Sequence, residues 1–291
     1  MKGDEKCGLI TSWHEICFIF FINRIGWRIN MNQALWVAKT GLDAQQTRLS
    51  VISNNLANVS TSGYKQSRAV FEDLLYQNLR QVGGQTSQDT RLPSGLMLGS
   101  GVRVVATEKI HTQGVIETTD NALDIAIDGK GFFPILLPNG TEGYTRDGGF
   151  KLSDQGQLVT ASGYTLQPGI NIPDDAQSIT VGIDGIVSVS LPGQAAPVGV
   201  GNIQVVNFVN PTGLQPIGEN LFVESAASGA AQAGTPGQTG LGRLRQGSLE
   251  ASNVNIVEEM VGMIETQRAY EMNSKLISTA DGMMQYLNNN T

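Results

Sequence analysis

Residues Gln33–Lys65 read QALWVAKTGLDAQQTRLSVISNNLANVSTSGYK. Leu35, Leu42, Leu49 and Leu56 fall seven residues apart, and Ala38, Ile52 and Val59 fill the column three residues on. Those columns make one apolar stripe on a helix, close to the a/d seam of a coiled coil. The run ends in Asn54-Asn55-Leu56-Ala57-Asn58 and Ser60-Thr61-Ser62-Gly63, residue types that cap and break helices. A helix from Gln33 to Ala57 would be about 37 Å long. Taken alone, such a stripe describes an ordinary core helix.

The other end of the chain changes that reading. Ile256, Met263, Tyr270, Ile277 and Met284 again fall seven apart, flanked by Val257, Met260, Ile264, Ala280, Met283 and Leu287. Asn253 or Asn255 can cap this second helix, and Glu258-Glu259 suit its positive N-terminal end. A span from Asn255 to Asn288 is about 51 Å of helix, longer than a domain of this size is wide. Much of the stripe must therefore be covered from outside the chain's own β core. The termini can pair with each other, and the pair can pack on copies of itself.

Met1–Asn30 differ from the rest, holding Cys7, Cys17, Trp13, Trp27 and His14. Ile16–Ile22 is apolar like a signal peptide, yet Asp4, Glu5 and Glu15 mix with Lys2 and Lys6, and no small-x-small site follows. We read Met31 as the true start and 1–30 as an upstream extension. From Met31 on there is no cysteine and only His111, which leaves no cysteine nucleophile, thiolate zinc site or histidine metal site there. A net charge of −7 argues against a nucleic-acid surface.

Between the helices, Val70-Phe71-Glu72-Asp73-Leu74-Leu75-Tyr76-Gln77-Asn78-Leu79 reads as a short extended or helical piece with an apolar face. Gln81–Gly101, rich in Gly, Gln, Ser and Thr, reads as a loop or extended arm without a core of its own. From Val102 to Arg245, short β runs alternate with turns such as Asp128-Gly129, Pro138-Asn139-Gly140 and Asp184-Gly185. The fold class is mixed α and β: a central antiparallel β-rich domain flanked by long N- and C-terminal heptad helices that pair as a coiled coil. The expected divisions are 1–30, 31–63, 64–101, 102–245 and 246–291.

No constellation carries catalysis. Gly129-Lys130-Gly131 lacks the spacing of a phosphate loop and reads as a turn. Asp120, Asp124 and Asp128 lack the spacing of a calcium loop and read as solvent-facing carboxylates. His111 has no Gly-x-Ser-x-Gly elbow to serve and reads as a surface or strand histidine. Asn58-Val59-Ser60 and Asn139-Gly140-Thr141 read as a helix terminus and a hairpin turn. No catalytic, cofactor-binding or metal residue is assigned, and no small-molecule substrate is expected.

Ser53–Lys65 (SNNLANVSTSGYK) resembles the N-terminal motif of the bacterial flagellar rod and hook protein family. Glu259–Lys275 is similar to the closing helix of that family, and Leu92-Pro93-Ser94-Gly95-Leu96 and Tyr144-Thr145-Arg146-Asp147-Gly148 resemble its distal-rod members. The resemblance implies a non-enzymatic subunit of the flagellar drive shaft, a homopolymer in the basal body between periplasm and outer membrane. Implied partners are copies of itself, proximal rod proteins, the hook protein, the ring bushings, the rod cap and the type III export apparatus. The Gln81–Gly101 arm would correspond to an insertion that locks neighbouring subunits. The assembly seam would be Leu35, Leu42, Leu49, Ile52 and Leu56 with Ile256, Met260, Met263, Ile264, Tyr270, Ile277, Met284 and Leu287. The family motif maps to Asn54, Asn55, Asn58, Thr61, Gly63, Tyr64, Gln267, Arg268 and Asn273. Another axial role, proximal rod or hook, is the near alternative; a wall hydrolase or an adhesin is the distant one. As a free chain, both termini should be trimmed by protease to about Val102 and Arg245.

Overall fold

A computed structural model describes residues 11–83, 85–87, 90–91, 93–194 and 196–289. Residues 1–10 of the expected extension lie outside that set, as do 84, 88, 89 and 92 of the expected arm. Two long helices and a β-rich middle make up the chain. Helix α1 runs Thr11–Ala57, beginning well before the expected Gln33. No proline interrupts that span, so nothing in the backbone stops the helix at Met31. Helix α2 runs Ile256–Asn289, one residue from the expected bounds at each end. Among the described residues, no helix is long and apolar enough to cross a membrane.

The chain divides into two compact units, to both of which each helix contributes. The first takes α1 as far as Ser50, Ala69–Ala106, and α2 from Gly262. Of the expected loop or extended arm, the structure has the extended form, a hairpin: Tyr76–Arg80 pairs antiparallel with Leu96–Gly99, and Gln85–Ser87 with Thr90–Arg91. Leu79, Leu96 and Met97 are exposed and only Leu98 is half-buried, so the pairing of Tyr76–Arg80 with Leu96–Gly99 stands chiefly on backbone hydrogen bonds. That is why its sequence carries no in–out alternation. Gly101 closes the hairpin base against α1, with Thr40 Oγ1 only 2.2 Å from where a Cβ would stand.

The second unit comprises Val51–Arg68 and Thr107–Val261. Its largest sheet has seven antiparallel strands, ordered Lys151–Leu152, Leu158–Val159, Thr165–Leu166, Phe133–Leu136, Glu142–Thr145, Leu221–Val223 and Gln215–Gly218. Successive side chains leave opposite faces of a strand. Phe133, Val205 and Leu221 accordingly enter one buried cluster with Ile125, Ile135, Phe150 and Leu166. Their neighbours Phe132, Val206 and Phe222 enter another with Tyr144, Phe208 and Leu214. Edge-to-face aromatic pairs stiffen both, Phe133 with Phe150 at 5.1 Å and Tyr144 with Phe208 at 4.8 Å. Phe133→Ala should therefore lower unfolding stability by about 3–5 kcal/mol in a urea titration. Leu136→Ala, on the more exposed end of the same strand, should cost no more than about 1 kcal/mol.

Candidate assembly site

After Ala57 the chain turns back on the helix it has just left. The Asn58 side-chain amide donates to the Asn54 carbonyl at 2.9 Å, and Thr61 Oγ1 donates to Asn58 Oδ1 at 3.3 Å. The Tyr64 hydroxyl donates to Asn54 Oδ1 at 2.8 Å. Gly63 adopts φ +69°, and a Cβ there would lie 2.6 Å from the Asp147 backbone nitrogen. Only glycine fits that approach. Buried Asn55 is the hub: its Nδ2 donates to the Ser67 carbonyl and to Glu259 Oε1, both at 2.9 Å. Its Oδ1 accepts the Ser67 N–H at 2.8 Å. Gln66 adds a second donor to Glu259 Oε1 at 2.7 Å. Glu259 is 5% exposed and sits in the first turn of α2, where the helix dipole favours a carboxylate. The end of α1 is thus bonded to the start of α2 through polar groups.

Beneath this lies a buried ionic cluster. Glu250 Oε1 accepts from Lys65 Nζ at 2.6 Å and from the Gly114 N–H at 2.8 Å, while Oε2 accepts from Arg146 Nε at 2.7 Å. Lys65 also donates to the Thr112 carbonyl at 2.7 Å, and Arg146 to the carbonyls of Gly129 and Gly131. All three side chains are buried. Burial pulls the Lys65 ammonium below its ordinary pKa, with Glu250 opposing the shift, and acts on Arg146 in the same direction.

The buried positions of the helices are mostly small and polar residues, with Ile52 the apolar one among those described. On α2 the small and polar face is Glu259, Thr266, Asn273 and Ala280, seven apart, of which Glu259 and Thr266 are buried. On α1 it includes Gly41 and buried Ala44, and the Asn273 carboxamide lies 3.2 Å from where a Gly41 Cβ would stand. The apolar columns lie beside that face. Leu35, Leu42, Leu49, Leu56, Met263 and Ile277 are half-buried and Ile52 is buried. Ile256, Met260, Ile264, Tyr270, Met284 and Leu287 are exposed. In the first unit a cavity of about 1080 Å³ opens between both helices and the hairpin, lined by Leu35, Ala38, Leu79, Leu98, Leu276 and Met283 among others.

Three family models match in chain order. These are the flagella basal body rod protein model over residues 35–65, the flagellar hook protein FlgE/F/G D1 domain over 126–189, and the flagellar basal body rod FlgEFG protein C-terminal model over 245–290. The flagellar basal-body rod protein FlgG of Buchnera aphidicola subsp. Schizaphis graminum is 57% identical over 88% of this chain and 99% of its own length. Its counterpart in Caulobacter vibrioides is 52% identical over 87% of this chain and 97% of its own, and that of Bacillus subtilis 40% over 89% and 99%. The chain belongs to the flagellar basal-body rod protein family.

In this rod-family chain, the motif residues Asn54, Asn55, Asn58, Thr61, Gly63 and Tyr64 are brought together, and Asn273 meets Gly41. Gln267 and Arg268 are exposed on α2. Two side readings need correction. His111, expected at the surface or in a strand, is half-buried outside any strand and packs edge-on between Phe132 and Phe222, each at 5.5 Å. Asp124 is buried rather than solvent-facing, accepting from Thr119 Oγ1 at 2.7 Å and Asn121 Nδ2 at 3.0 Å. Glu250 was missed outright, because nothing local marks a lone glutamate whose partners lie 104 and 185 residues away. Glu250→Gln leaves two buried cations without their counter-charge. It should lower stability by about 3–5 kcal/mol in urea, whereas Glu258→Gln, exposed in the first turn of α2, should cost no more than about 1 kcal/mol.

Proposed function

We propose that the chain is a structural subunit of the flagellar distal rod, a rigid hollow shaft that carries torque from motor to hook. The carrying observation is the polarity of the terminal helices: polar and small residues serve the chain's own contacts, while Ile256, Met260 and Ile264 remain exposed. Apolar columns left open by a folded chain are what a polymer covers. In this reading α1 and α2 pair as an antiparallel coiled coil. Asn55 with Glu259 and Gly41 with Asn273 support it, because they fall fourteen residues, two heptads, apart on each helix. The seam Leu35, Leu42, Leu49, Leu56, Ile256, Met260, Met263, Ile264, Tyr270, Ile277, Met284 and Leu287 then packs on neighbouring copies, while Ile52 is buried in its own chain. The hairpin around Leu79 and Met97 reaches an adjacent subunit and keeps the rod straight. Proximal rod proteins, hook protein, rod cap, ring bushings and the type III export apparatus are the remaining partners, and the subunit has no catalytic role.

Ile264→Asp tests the reading. The variant should remain folded by circular dichroism but form no straight tubes in electron micrographs at concentrations where the parent chain does, since an unpaired buried charge opposes assembly. Tubes of normal yield would overturn the seam. Limited proteolysis of the monomer should now stop near residues 51 and 261 rather than at Val102 and Arg245. Asn55, Lys65, Glu250 and Glu259 bind Val51–Arg68 into the second unit. Mass spectrometry of the resistant core checks this.

A further inference from the structure

The second unit holds a cavity of about 640 Å³ for which the rod reading has no use. Its ionisable lining is Lys65, His111, Lys130 and Arg146, and no carboxylate side chain lines it. In a chain of net charge −7, that concentration of cations is selective. Lys65 and Arg146 share one directly bonded counter-ion, Glu250, and Asp128 acts on Arg146 only from longer range, so the two cations keep an excess of positive charge on the cavity side. Such an excess is costly in a poorly solvated interior unless an anion meets it. Phe132 and Phe208 form apolar wall, which strengthens any charge pairing inside.

The turn Gly129-Lys130-Gly131 forms one rim. Its glycines have φ of +118° and +139°, and a Cβ at either would strike Gly242 or Val205. Arg146 donates to both glycine carbonyls, which ties the guanidinium to the turn that presents Lys130. His111 reports the resulting field. Its two buried ring nitrogens find no well-formed hydrogen bond among the described residues, and only the Pro211 carbonyl weakly favours the protonated ring. Burial first, then the cations Lys65, Arg146 and Lys109, push its pKa down to about 4. The folded pKa is depressed, so the stability His111 contributes is complete above about 6.5 and is lost as pH falls through about 4.

We propose that this cavity is an oxyanion site, occupied by a free anion or by an Asp or Glu carboxylate of a second copy. The proposal stands independently of the rod reading, because every lining residue belongs to the second unit. The test follows the His111 imidazole by NMR across pH in the dilute full-length chain, with His111→Gln assigning its signal against His14. A bound oxyanion favours the imidazolium, so sodium sulfate should raise the midpoint by about one unit, a tenfold change in proton affinity. The rise should saturate, and Lys130→Ala, at an exposed position, should weaken sulfate binding about threefold. Equal midpoints in sulfate and in sodium chloride of matched ionic strength would overturn the proposal. Once sulfate binding is established, its effect on tube assembly names the source. A higher critical concentration, matched by Lys130→Ala without sulfate, assigns a neighbour's carboxylate; unchanged assembly assigns a free anion.

Discussion

The carboxylate of Glu250 gathers four distant parts of the sequence: Lys65 from the turn after α1, the Gly114 amide, Arg146 from the largest sheet's border, and its own strand leading to α2. Its backbone takes part as well, since its carbonyl accepts the Gly63 N–H at 2.8 Å. A buried ion pair adds little net stability, but it discriminates sharply between geometries. An apolar substitute would tolerate a turn placed an ångström away, whereas a lysine and an arginine on one carboxylate do not. The glycine at 63 follows from that constraint, because the turn must pass close to the Asp147 backbone.

From this anchor the helix ends inherit their arrangement. Asn55 and Gln66 both reach Glu259, so the close of α1 and the opening of α2 are held by directional bonds rather than by apolar contact. Polar positions within a heptad pattern cost packing energy and fix register. The side chains best able to bury area, Met260, Ile264 and Leu49, are thereby left for other contacts. A helix pair held apolar-to-apolar inside its own chain would have no comparable surface to offer a polymer.

This division of labour explains what was legible in the sequence. Heptad spacing is local, so α2 was placed to within a residue, and the break after Ala57 was readable from Asn, Ser, Thr and Gly. The same spacing drew attention to Leu49 and Ile264 and away from Gly41, Ala44 and Thr266, which carry no hydrophobic signal yet face the chain. The hairpin over Tyr76–Gly99 was legible only as an extended piece and an arm, because Tyr76–Arg80 and Leu96–Gly99 are largely exposed and carry no in–out alternation. Glu250 and His111 escaped because burial was decided by partners far away in sequence, Lys65 and Arg146 for one and Phe132 and Phe222 for the other.

The unequal treatment of charge in the two units carries one step further. In the second unit Lys65 and Arg146 are buried together on the single carboxylate of Glu250. In the first, Arg103 and Glu72 pair at 3.0 Å in the open, where the pair is worth little and salt screens it. Ionic strength should therefore act differently on the two kinds of pair: exposed ones such as Arg103–Glu72 and Arg68–Glu108 weaken, while the buried cluster is shielded from the solution. What reaches the buried cluster is an anion small enough to enter the cavity beside it. That makes the identity of the anion, rather than salt concentration alone, the variable to which the second unit answers.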